Sequence, residues 1–228
     1  MDIEVFLRGA SVWVLPVLLA VTLHEAAHAY VAKMLGDDTA SKLGRVSLNP
    51  VKHIDPFGTI LLPSMLILFG SPFVLGWAKP VPVAFGRLRN PKRDMIFVAI
   101  AGPISNLLIA LVAAIGMWVI GGDLIRPVGW LDENFRNAIF INCILAVFNM
   151  IPIPPLDGGR VLTGLLPTPL AIKFARLERF GMLVLIGLIF ILPMIGRQLG
   201  YELNVISYIV LTPVYDVLLP FYYSITTF

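Results

Sequence analysis

Six apolar stretches, from about Val5 to Val31, Phe57 to Ala78, Met95 to Ile120, Ala138 to Pro155, Phe180 to Ile195 and Leu203 to Tyr223, nearly exhaust this chain. Each approaches the roughly 20 residues that a helix needs to cross a bilayer. Only 14% of the residues are charged and 58% are hydrophobic, whereas soluble domains carry about 25% charged residues. The loops between stretches run from under ten to about 25 residues, too short for an added soluble domain of ordinary size. The expected fold is an all-α integral membrane protein of five to six membrane segments, with residues 1–228 forming one domain.

The first apolar stretch does not read as a cleavable signal, because acidic Asp2 and Glu4 precede it and no small-residue cleavage site ends it. The single cysteine, Cys143, lies within an apolar stretch and excludes an internal disulfide framework or a cysteine metal site. A net charge of +3 in such a chain fits cytoplasmic loop bias and gives no reason to expect nucleic acid as a partner.

His24-Glu25-Ala26-Ala27-His28 is an H-E-x-x-H match. On a helix both imidazoles fall one turn apart on the same face, where they can share a zinc ion, with Glu25 beside them to take a proton from water. The motif ends a long apolar run, and ionisable groups inside membrane helices are costly enough to signal function. A catalytic zinc wants a third protein ligand and an open position. The best candidate is Asp157, which follows the proline-broken stretch Asn149-Met-Ile-Pro-Ile-Pro-Pro-Leu156; broken backbone is tolerated at membrane depth only where protein buries it or it lines a cavity. Asp157 as a helix N-cap is the plainer alternative.

Three motifs in this order resemble the site-2 proteases, the intramembrane zinc metalloproteases of peptidase family M50: His24-Glu25-Ala-Ala-His28, then Ala101-Gly102-Pro103-Ile-Ser-Asn106, then Asn149-x-x-Pro152 leading to Leu156-Asp157-Gly158. The stretches Asn49 to Gly58 and Gly76 to Val83 are similar to a compact prokaryotic branch without PDZ or CBS modules. The resemblance implies that His24, His28 and Asp157 ligate one zinc per chain, that Glu25 is the catalytic base, and that Asn149 binds substrate backbone or stabilises the oxyanion. It implies substrates that are transmembrane segments of other proteins, cut in regulated intramembrane proteolysis.

Sharing zinc requires the helices ending at His28 and before Asp157 to run in the same direction, with the Met95 to Ile120 helix opposed. The chain from Gly36 to Asp94 must then begin and end on one side. Phe57 to Ala78, interrupted by Pro63, Gly70, Pro72 and Gly76, is therefore expected to be re-entrant. This arrangement puts 13 of the 17 Lys and Arg residues on the active-site face, leaving Arg8, Arg126, Arg136 and Arg197 on the other. Basic loops accumulate in the cytoplasm, so the expected placement is a multi-pass protein of the plasma or inner membrane, its active site toward the cytoplasm and its N-terminus outside.

His53 sits in a proline-bounded loop on the zinc side, where a backbone-satisfied histidine and a substrate or outer-shell role weigh equally. Asn106 is read as an internal polar contact, with a substrate or outer-shell role implied chiefly by the family resemblance, and Gly102 as a site of close helix packing. From Lys79 to Phe85 valine alternates with proline, giving an extended segment that could pair with unwound substrate through Val81 and Val83 or serve as an inert linker. A membrane metal transporter or binding protein, and an inactive scaffold, are the competing functions. Transport gives Glu25 no obligatory role, and the complete set His24, Glu25, His28 and Asp157 disfavours a dead scaffold.

Overall fold

Helices, with no β-strand among the described residues, build the protein; the structure is a computed structural model that describes residues 3–61, 65, 78–126 and 129–226. The longer helices are α1 (Ile3–Met34), α2 (Pro91–Val119), α3 (Trp130–Asn149), α4 (Asp157–Leu165), α5 (Thr168–Ala175), α6 (Glu178–Gln198) and α7 (Val205–Thr226). Single π-helical turns interrupt α6 at Gly187–Ile191 and α7 at Val214–Leu218. Among the described residues, four helices are long and apolar enough to cross a membrane: Leu7–Met34, α2, α6 and α7. Large apolar side chains such as Trp13, Leu108, Val112, Leu183 and Tyr208 remain exposed on them, as lipid-facing residues do.

Two expected segments come out differently. The stretch Ala138 to Pro155 is helical only to Asn149, but its helix begins earlier, at Trp130. Pro152, Pro154 and Pro155 have no N–H to continue the ladder, and the chain from Met150 to Leu156 turns irregularly. Of the stretch Phe57 to Ala78, residues 62–64 and 66–77 lie outside the described residues. The part that is described opens with a π-helical turn at Pro56–Leu61.

Hydrogen bonds fix the helix directions. Arg8 pairs with Glu133 at 2.8 Å and Trp130 Nε1 donates to Ser11 Oγ at 2.8 Å, so α1 and α3 start together; Asn137 then reaches the Val12 carbonyl and, past the end of α3, Asp157 reaches His24, so the two helices run the same way. His28 meets Val98 while His24 meets Asn106, so α2 runs against both. The long connection from α1 to α2 returns to where it left, since Arg89 N–H donates to the Leu35 carbonyl at 3.0 Å. Small residues permit this closeness: Ala20, Ala29 and Ala32 on α1 and Ala99, Ala110 and Ala114 on α2 are buried, and in a bilayer helices associate by close backbone packing of this kind.

The segment from residue 78 to 84 is neither helix nor strand. Lys79 and Val81 each precede a proline, which biases them to extended backbone. Lys79 N–H donates to the His53 carbonyl at 2.9 Å, Arg45 donates to the Lys79 carbonyl at 2.7 Å, and Ala84 N–H donates to Asp37 at 2.6 Å. Burial opposes ionisation of Asp37, but donation from the Thr39 hydroxyl, the Thr39 and Ala84 N–H groups and the nearby Arg87 charge hold its carboxyl below the usual range. A charged anchor therefore closes one end of the segment.

Candidate metal centre

One turn of α1 places His24 and His28 side by side, both buried, and α2 presses on them. Gly102 makes the approach feasible: a Cβ there would fall onto His28 Nε2 and within 2.6 Å of His24 Nε2. Each imidazole is fixed through Nδ1. His28 Nδ1 lies 2.7 Å from the Val98 carbonyl, and His24 Nδ1 lies 2.7 Å from Asn106 Oδ1. Both partners are oxygens that only accept, so each ring uses Nδ1 as its donor there and turns its Nε2 the other way. Pro103, one position beyond Gly102, lacks the N–H that would bond the Ala99 carbonyl and crowds that carbonyl. The helical ladder is thus loosened beside Val98, whose carbonyl His28 uses.

Asp157 arrives from below as the first residue of α4. Its sequence, Asp-Gly-Gly-Arg-Val-Leu-Thr-Gly-Leu, is a poor helix former that tertiary packing makes helical. A Cβ at Gly158 would collide with the Met150 carbonyl, so only glycine lets α4 start tight against the turn leaving α3. The Asp157 side chain does not cap this helix; its Oδ2 stands 3.2 Å from His24 Nε2 and 3.3 Å from His28 Nε2, with the two Nε2 atoms 3.0 Å apart. Oδ2 is buried without a hydrogen-bond donor. Three potential ligand atoms thus converge within 3.3 Å of one another, an arrangement that a bound cation would satisfy. Two nitrogens and one carboxylate oxygen also form the donor set of a catalytic zinc site with one position open.

Glu25 stands next to this triangle and accepts from Val81 N–H at 2.7 Å through Oε2. Pro80 and Pro82 carry no N–H, so Val81 offers the sole amide donor of that tripeptide, and it is spent on Glu25. A cleft of about 260 Å³ opens from the site. His24, Glu25 and Asn149 are its polar lining, and Leu145, Phe148, Leu185, Ile189 and Phe190 are among the apolar residues around them.

The remaining sequence candidates are dispersed. Asn149 ends α3 in the cleft wall, donating one amide hydrogen to the Leu145 carbonyl at 3.0 Å. His53 is buried outside the metal triangle, its Nε2 2.9 Å from the Ser47 carbonyl. Val81 is buried against Ala29 and Ala40, whereas Val83 is half-buried. Asn142 and Asn137, both buried on α3, were not singled out by sequence. The signal was there, since four asparagines at 134, 137, 142 and 149 keep to one side of α3, but their partners belong to other helices.

Sequence comparison agrees with this chemistry. The family model described as "Peptidase family M50" matches residues 127–192. Over 195 residues the chain is 39% identical to the "Putative zinc metalloprotease YwhC" of Bacillus subtilis (strain 168), covering 84% of this chain and 85% of that one. Similarity also extends to the "Putative zinc metalloprotease Rip2" of Mycolicibacterium smegmatis, 29% identical over 195 residues, covering 86% of this chain and 71% of the relative. No solved structure matches. An all-helical, multi-pass membrane protein with a buried His-His-Asp cluster is of the zinc metallopeptidase class. The chain belongs to peptidase family M50, the site-2 type, and its cofactor is zinc.

Proposed function

We propose that this metallopeptidase holds one zinc through His24 Nε2, His28 Nε2 and Asp157 Oδ2, and cleaves membrane-spanning segments of other proteins as a step of regulated intramembrane proteolysis. The observation that carries the reading is the meeting of three buried lone-pair atoms, 3.0 to 3.3 Å apart, beside a carboxylate in an apolar cleft. Zinc, when bound, supplies a Lewis acid for the scissile carbonyl and lowers the pKa of water. Glu25 acts as the base. Val81 N–H fixes its carboxylate through Oε2, leaving Oε1 to take the proton of the attacking water and then return it to the leaving amine. Asn149 has a second amide hydrogen for the substrate backbone or the oxyanion.

Peptide groups in a transmembrane helix are occluded by their own hydrogen bonds, so substrate must unwind before attack. Val83 N–H and C=O make no hydrogen bond among the described residues, and they can pair with such an unwound strand, while Val81 N–H is already engaged. The leucines, isoleucine and phenylalanines of the cleft suit apolar substrate side chains. Facing of the site toward the cytoplasm, with the N-terminus outside, follows from the 13 of 17 basic residues on the active-site face. Cysteines introduced near Arg89 and Arg176 should label from the cytoplasmic side and one near Asp132 from the other; opposite labelling of Arg89 and Arg176 would break this topology.

Exchange of Glu25 for Gln tests the mechanism. Zinc should remain at about one per chain, while cleavage of a transmembrane model substrate in liposomes falls by about 100-fold to 10,000-fold. Full cleavage by this variant would refute Glu25 as the base.

A further inference from the structure

His24 is connected to the backbone of α3 through two buried amides. Its Nδ1 lies 2.7 Å from Asn106 Oδ1; Asn106 Nδ2 lies 2.7 Å from Asn142 Oδ1 and 3.3 Å from the Ala20 carbonyl; Asn142 Nδ2 lies 2.8 Å from the Ala138 carbonyl. Asn106 and Asn142 are both 0% exposed, so bulk solvent does not reach either amide.

Backbone carbonyls close this chain, and they set its direction. The Ala138 carbonyl can only accept, so the Asn142 atom facing it is the amide nitrogen and the other end of that amide is the oxygen. That oxygen, together with the Ala20 carbonyl, demands the nitrogen of Asn106. Asn106 must then turn its oxygen to His24, and His24 must carry its proton on Nδ1. Reversing the Asn106 amide would set its oxygen against the Ala20 carbonyl and Asn142 Oδ1, two buried contacts between acceptors, and leave buried donors unmade. It would also present an N–H to His24 Nδ1, driving the imidazole proton to Nε2, the atom that faces Asp157 and His28.

We infer that Asn142 is a positioning residue for the metal: without touching the site, it locks the Asn106 amide and thereby keeps His24 Nε2 free of a proton and directed at zinc. His28 has no such dependence, because its Nδ1 is held by a backbone carbonyl. The inference rests on His24 being a zinc ligand, as proposed above.

Asn142→Leu keeps the volume and deletes the acceptor. Asn142→Asp restores it: a neutral carboxyl can donate to the Ala138 carbonyl and accept from Asn106, and an ionised one still accepts. Asn137→Leu is the control for a structural role, since Asn137 is also buried on α3 and also bonds α1, at the Val12 carbonyl at 3.0 Å, yet has no path to His24. The readout is the zinc Kd of the full-length protein in detergent, by competition with a chelator, beside the thermal stability of the zinc-free form. Outer-shell partners of metal-bound histidine are worth about 10-fold to 100-fold in affinity. With the Ala20 carbonyl as a partial substitute, Asn142→Leu should weaken zinc by about 10-fold, the low end of that range, while Asn142→Asp and Asn137→Leu stay near wild type whatever they cost in stability. Wild-type zinc affinity in Asn142→Leu, or an equal loss in Asn137→Leu, overturns the relay. Should Asn142→Leu not fold, imidazole ¹⁵N shifts of the metal-free wild type decide directly: His24 with its proton on Nδ1 is required, and on Nε2 refutes the inference. His24→Ala separates the premise, since zinc retained there removes His24 from the ligand set, whereas zinc lost there but unchanged in Asn142→Leu removes only the relay.

Discussion

Gly102→Ala is the smallest change that should dismantle the metal site without touching a ligand. The added methyl would lie 2.5 Å from His24 Cε1 and 2.6 Å from His24 Nε2, and closer still to His28 Nε2. Ordinary contact between such atoms begins near 3.5 Å, so the rings must retreat by roughly 0.8 Å or more. They have nowhere to go cheaply, because each is tied through Nδ1 by a 2.7 Å hydrogen bond, one to Asn106 and one to the Val98 carbonyl. A displacement of that size takes both bonds beyond hydrogen-bonding distance, and metal sites accept only about 0.2 Å of change in ligand distance. At about 1 kcal/mol or more for each buried bond lost, zinc affinity should fall by at least about 30-fold. Helix propensity works the other way, favouring Ala over Gly by about 1 kcal/mol in a helix interior, so a loss of zinc cannot be put down to a weaker helix. Zinc titration against a chelator, with helix content followed by circular dichroism, checks this. Affinity within about threefold of wild type at unchanged helix content would refute the reasoning, since a tenfold change is only about 1.4 kcal/mol and the imidazoles would then have a second, equally good seat.

Two further predictions concern the flanks of the site. Asp157→Ala should lower zinc content and abolish cleavage, because two histidines alone make an incomplete site; near-normal zinc and activity, measured by metal analysis and substrate cleavage, would place the third ligand elsewhere. Val81→Pro removes the N–H that holds Glu25 Oε2 and should lower kcat by about tenfold, a fraction of the 10² to 10⁴ that a general base contributes, with zinc stoichiometry unchanged; an unaltered kcat would show that Glu25 needs no such hold.

The parts of this protein set by local chemistry were open to reading in the sequence. Membrane helices follow from apolar length, the candidate ligands His24 and His28 from residue types and spacing and Asp157 from its broken-backbone context and the family resemblance, and the opposed course of α2 from the need to bring His28 and Asp157 together. The beginning of α3 was missed because Trp130 to Asn137 carries Asp132, Glu133, Asn134 and Arg136, which reads as a polar loop until Arg8 and Ser11 of α1 are seen alongside. His53 could not be decided either. Whether a loop histidine meets a ligand or the Ser47 carbonyl depends on how a turn six residues away closes.

The prolines explain why asparagines unreadable in sequence became necessary in the fold. Pro16 lies inside α1 and cannot donate to the Val12 carbonyl four residues back, leaving an acceptor that hydrocarbon would not satisfy. Asn137 of α3 supplies the donor at 3.0 Å. One turn of α3 further on, Asn142 supports the Asn106 that holds His24. A proline in one helix and an asparagine in another thus meet at one point of the α1–α3 interface, while Asn106 and Asn142 meet α1 at a separate point, beside His24. The two contacts therefore separate in their effects: losing Asn137 strands the buried Val12 carbonyl and costs stability, whereas losing Asn142 frees the Asn106 amide beside His24 and costs zinc affinity.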